Sequence, residues 1–90
     1  MKFNGALVKV EKERVIGVVV VEENFKQLSA EERADLTLKY MQGFGAKVPI
    51  VMLIAGAHGE EEFFGRPDLI PLIKDVPLNF MTFKTYEYKE

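Results

Sequence analysis

The run from Pro49 to Gly56, PIVMLIAG, constrains the fold more than any other stretch of the chain. It is the most apolar uninterrupted segment, and no charge follows it until Glu60. Opened by Pro and closed by Gly, it reads as a strand buried on both faces, because a half-wet strand would alternate apolar and polar residues. Val15 to Val21 is the second run of comparable strength. Two such strands imply a sheet covered on both sides, so the segments around them must supply the cover.

Length and composition narrow the possibilities. Ninety residues, 48% hydrophobic and 29% charged, are expected to make a single globular domain over 1–90 with a thin stability margin. The chain has no cysteine, which excludes a disulfide framework, a thiol nucleophile and a cysteine-ligated metal. Self-association is another remedy for a small core, so a homodimer is an expectation. The net charge of −2, with lysines and arginines scattered singly, speaks against nucleic acid. No stretch reaches the roughly 18 apolar residues of a membrane span. The N-terminal apolar stretch is cut by Lys9 and Glu11, unlike a signal peptide. The expectation is a soluble cytoplasmic protein.

Taken in order, residues 3–11 alternate as a strand with one wet face, Val8 and Val10 opposing Leu7, Lys9 and Glu11. The polar tetrad 11–14 then reads as the turn of a hairpin into Val15–Val21. Gly17 within the valines predicts a bulge or the close approach of a ring or backbone. Ser29 and Glu32 form a capping box, and Ala30, Ala34, Leu38, Met41 and Phe44, widened by Leu36 and Tyr40, predict a helix over 30–42 ended by Gly43 and Gly45. Strand, helix and strand make a βαβ unit. Ala57-His58-Gly59 reads as a tight turn returning residues 60–64 as an antiparallel strand; the alternative is a helix there. Asp68 is expected to cap a short helix with Pro71 in its first turn, and 79–88 to form a strand near an edge guarded by Lys84. The predicted fold class is α/β with a mixed sheet, in the order β-β-α-β-β-α-β. Two helices pack on four or five strands; the order is β-β-α-β-α-β if 60–64 is helical.

VPIVMLIAGAHGEEEFFGRPDLIPLI, with Pro49, Gly59, Gly65 and Leu69–Leu72 at its marked positions, resembles the C-terminal half of thioredoxin-like domains. There a cis proline opens a strand, a Gly turn leads to an antiparallel strand, and a Gly precedes the last helix. The resemblance implies that arrangement over 48–73 without the family's redox chemistry, which needs a cysteine.

Few side chains point to chemistry. His58 is the sole histidine, so a two-histidine metal site within one chain is impossible, and His58 with Glu60 would be a weak ligand pair. Ser29, the sole serine, is spent as a cap, which leaves no Ser-His-Asp triad. GFGAK and GAHG lack the context of a phosphate loop. Phe63-Phe64-Gly65-Arg66-Pro67-Asp68 offers a guanidinium beside two rings, with a local Arg66–Asp68 pair as its plain structural explanation. Tyr86 and Tyr88 are either an interface patch or rings covering the sheet. No catalytic residue, metal or cofactor is assigned. The first functional expectation is a non-catalytic protein-interaction or small regulatory module, homodimeric or serving an unidentified protein. The alternative is a small-molecule-binding protein or minor enzyme whose site, past the end of strand 50–55, brings Asn24, His58 and Arg66 together.

Overall fold

Five strands make one mixed sheet in the order β4-β3-β2-β1-β5. They are β1 (Lys2–Lys9), β2 (Val15–Glu22), β3 (Ile50–Ala55), β4 (Glu61–Phe64) and β5 (Lys84–Glu87), joined by the helices α1 (Ala30–Phe44) and α2 (Ile70–Lys74). The computed structural model describes residues 1–10, 14–45, 47–55 and 61–88. β1 and β2 are antiparallel, β2 and β3 run parallel across α1, and β4 returns antiparallel to β3, as Leu53 facing Phe63 shows. The strand reading of 60–64 therefore holds over 61–64, and the helical alternative does not. No helix among the described residues is long and apolar enough to cross a membrane.

The two apolar runs occupy the centre, and their side chains divide between the faces as strand alternation requires. Val19, Val21, Ile50, Met52 and Ile54 pack beneath α1; Ile16, Val18, Val51 and Leu53 pack beneath α2 with Leu69, Ile73 and Met81. The β1 alternation is as read, with Val8 buried and Leu7 and Lys9 exposed. The wet end is confined to those last residues, because Phe3 and Gly5 on the same face lie under α1.

α1 begins at the expected box: the Ser29 hydroxyl accepts from the Glu32 N–H at 3.1 Å and the Glu32 carboxylate accepts from the Ser29 N–H at 3.2 Å. Gly45 ends it in the left-handed region, φ 73°. The buried face differs from the expected stripe. Tyr40 and Phe44 are buried and Leu36 and Met41 partly so, whereas Ala30, Ala34 and Leu38 face water. Rings that remove more surface from water than alanines set the helix's rotation.

Close approach explains Gly5, Gly17 and Gly43. A Cβ on Gly17 would lie 2.7 Å from the Phe44 ring and 2.9 Å from Ile50 Cδ1, and one on Gly5 would lie 2.8 Å from Phe44. Gly43 belongs to the helix, and a Cβ there would sit 2.5 Å from the Phe3 ring. The ring approach at Gly17 is thus as expected from sequence, while Gly43 serves packing and only Gly45 the cap.

Three further elements depart from expectation. Glu23–Gln27 forms a 3₁₀ turn that buries Phe25. Leu69, without a side-chain cap, precedes α2, because the Asp68 carboxylate is taken by Arg66. The last strand is short: Leu78–Phe80 is a 3₁₀ turn, and only Lys84–Glu87 pairs, at the outer edge beside β1. Pro77 lacks a ladder donor, and Met81 turns inward to fill the α2 face.

Gly17→Ala is expected to destabilise the fold by about 1–3 kcal/mol through overpacking against Phe44. Gly65→Ala, whose nearest neighbours would lie 3.5 Å away, should change stability by no more than about 0.5 kcal/mol. Urea midpoints at constant m-value measure both, and equal effects would discount the ring contact.

Candidate functional site

The three sequence candidates do not converge on one place. Asn24 is exposed on the 3₁₀ turn just past the carboxyl end of β2. Arg66 follows β4, which runs the other way, so its neighbour Gly65 lies against Ile50 and Val51 at the start of β3. Nearly the length of β3 separates them, roughly 15 Å at the usual rise per strand residue. Arg66 is also engaged: its guanidinium donates to both Asp68 carboxylate oxygens, at 3.1 and 2.8 Å, on the protein surface. His58 and Glu60 lie outside the described residues. Among the described residues no cluster of His, Cys, Asp and Glu could hold a metal ion.

What the Asn24 end does contain is a wedge in the sheet. The β1–β2 ladder runs from Lys9–Val15 to Gly5–Val19 and stops. Both strands continue, Lys2–Gly5 paired with β5 and Val20–Glu22 with β3. In unbroken register Lys2 would face Glu22; instead each strand follows its outer neighbour and the two part. A cavity of about 510 Å³ opens between them, with Lys2, Phe3 and Asn4 on one side and Val20, Val21 and Glu22 on the other.

Backbone parity decides which groups face the gap. Met1 and Tyr88 exchange N–H to carbonyl bonds, both 2.9 Å, so the next inward-turned positions on β1 are Lys2 and Asn4. On β2 the Gly17 N–H donates to the Pro49 carbonyl at 2.8 Å, so odd residues serve β3 while Val20 and Glu22 turn toward β1. Lys2 and Glu22 consequently have no ladder partner across the wedge.

Aromatic and aliphatic side chains form the rest of the wall: Phe25 and Leu28 from the 3₁₀ turn and its exit, Leu36 and Tyr40 from α1, and Tyr88. Phe3 anchors the cluster, its ring centroid 4.9 Å from Tyr40 and 5.6 Å from Tyr86, the latter stacked. Phe25 meets Phe64 edge-on at 5.8 Å, Arg33 lies over Phe64 at 5.2 Å, and Lys26 pairs with Glu62. Those contacts fasten the 3₁₀ turn and the first turn of α1 to β4.

Tyr40 and Tyr88 are 9% and 7% exposed, with rings edge-to-face at 5.8 Å. Neither hydroxyl has a hydrogen-bond partner among the described residues, and neither is sealed from solvent-accessible space. Burial, and secondarily the neighbouring Tyr88, raise the Tyr40 pKa above 10.0. Tyr40 is thus a neutral phenol at physiological pH, able to donate and to accept. These residues were visible in sequence only as helix stripe and strand aromatics. The end of the β1–β2 pairing, which gives them a cavity, has no sequence mark.

No family model, curated protein or solved structure matches this chain.

A phenol whose folded pKa is raised contributes stability that is fully present below the unfolded value. It is lost as pH rises past 10.0 and through the raised value. As pH rises past 10.0 the melting temperature should fall more steeply for the wild type than for Tyr40→Phe. Parallel curves would remove the burial of this hydroxyl from the account.

Proposed function

We propose that the chain binds a small organic molecule, without catalysis, in the wedge between β1 and β2. One observation carries the reading: the ladder ends at Gly5–Val19 while both strands continue, opening a cavity of about 510 Å³. Its size falls within the usual range for small-molecule sites, and its wall combines aromatic surface with a few polar groups. Its place supports the same reading, since ligands of open α/β sheets gather beyond strand ends where the connections diverge. β2 leads by α1 to β3 on one side, while its hairpin partner β1 lies on the other. Of the residues expected from sequence, Asn24 belongs to this site and Arg66 does not.

An NMR fragment screen is the direct test. Binding fragments should shift the amide signals of Lys2, Asn4, Glu22, Asn24 and Tyr40, and Leu36→Trp, which fills the cavity, should abolish those shifts with the fold intact. Shifts confined to other surfaces, or unaltered by Leu36→Trp, would overturn the reading.

A specific feature favours a second reading, the protein-interaction module. Leu38 is 59% exposed on the outer side of α1, beside Met41 in a shallow hollow continued by Gln42, Gly45 and Lys47. A homodimer, or an unidentified protein partner, would use this face. If it does, sedimentation equilibrium should show a concentration-dependent dimer that Leu38→Glu dissociates; a monomer at all concentrations would exclude self-association. A cytoplasmic location and the absence of a nucleic-acid partner belong to the same proposal, supported by the net charge of −2. So does a thioredoxin-like arrangement of 48–73, supported by β3, antiparallel β4 and α2 in succession and opposed by the trans peptide before Pro49.

A further inference from the structure

We infer that the wedge takes a planar cyclic amide fused to an aromatic ring, an inference that rests on the binding reading above. The strand edge comes first. Lys2 turns both its N–H and its carbonyl toward a β2 that does not answer them. An extended residue in that state offers a donor and an acceptor side by side. A lactam, with its own N–H and C=O adjacent, satisfies both in the manner of a missing strand.

The wall selects the remainder of the molecule. Phe3, Phe25, Tyr40 and Leu36 present flat and aliphatic surface suited to an aromatic ring. The hydroxyls of Tyr40 and Tyr88, which both line the cavity and have no partner among the described residues, supply further donors and acceptors for ring heteroatoms. An aliphatic or fully apolar occupant would cover these groups without answering them, and each hydrogen bond left unmade is a cost.

The experiment uses the full chain, labelled with nitrogen-15, and titrates quinazolin-4(3H)-one as the probe. Saturable shifts should appear at Lys2, Asn4, Glu22 and Asn24. The 3-methyl derivative, which lacks the lactam N–H, should bind about tenfold more weakly or worse. Tyr40→Phe and Tyr88→Phe should each weaken the lactam by about fivefold to tenfold while leaving the rest of the spectrum in place. If Tyr40→Phe loses its fold, Tyr88→Phe carries the test. Equal binding of the methylated compound at the wedge signals overturns the lactam class and leaves the site standing. If neither these compounds nor the fragment mixture moves the wedge signals, the site itself is refuted, and the ligand class with it.

Discussion

The seating of the Phe44 ring on backbone is the contact on which the rest of the molecule depends. Gly5 and Gly17, on adjacent strands, leave a bare patch of sheet, and the ring lies where two Cβ atoms would otherwise stand. Phe3 returns the arrangement by lying against Gly43 of the helix. Helix and sheet thus approach at two points with a single ring between one backbone and the other. That closeness brings the other aromatics into range: Phe44 meets Tyr86 at 4.6 Å and Phe3 meets Tyr88 at 6.0 Å. Dispersion between close-packed rings is the gain, and the conformational freedom of glycine in the unfolded chain is the cost.

The same contact explains why the sheet divides. β1 is drawn to β5 by a run of aromatic contacts around Phe3, and β2 is held to β3 by a parallel ladder from Gly17 to Glu22. Up to Gly5 the two demands agree. Beyond it the bulk of Phe3, Tyr40 and Tyr88 occupies the α1 side, and the strands take separate paths. The wedge is the geometric remainder of two pairings that are each satisfied elsewhere.

Legibility in the sequence followed the range of the physics involved. The buried strand at Ile50–Ala55, the capping box at Ser29 and Glu32, and the ring approach at Gly17 were legible because each is announced within a few residues. The rotation of α1 was not. Choosing between the Ala30–Ala34–Leu38 side and the Leu36–Tyr40 side requires knowing that Phe3 and Tyr88 wait on the sheet. Asp68 misled for a local reason, since a carboxylate before an apolar stretch suits a cap and a neighbouring arginine equally. The expected meeting of Asn24 with Arg66 failed on strand direction, because an antiparallel β4 carries Arg66 back to the start of β3. The wedge was invisible altogether, being the absence of a pairing that alternation in both strands would permit.

Phe3 and Tyr86 are strand partners more than eighty positions apart, whereas β1–β2 closes over a short connection and β2–β3 over a crossover of a single helix. Loop-closure entropy makes the long pairing the slowest to gain and the first to be lost when the chain loosens. One wall of the cavity therefore rests on the least local strand pairing among the described residues. Occupancy of the wedge and attachment of β5 are thermodynamically linked, so whatever tightens one holds the other in place.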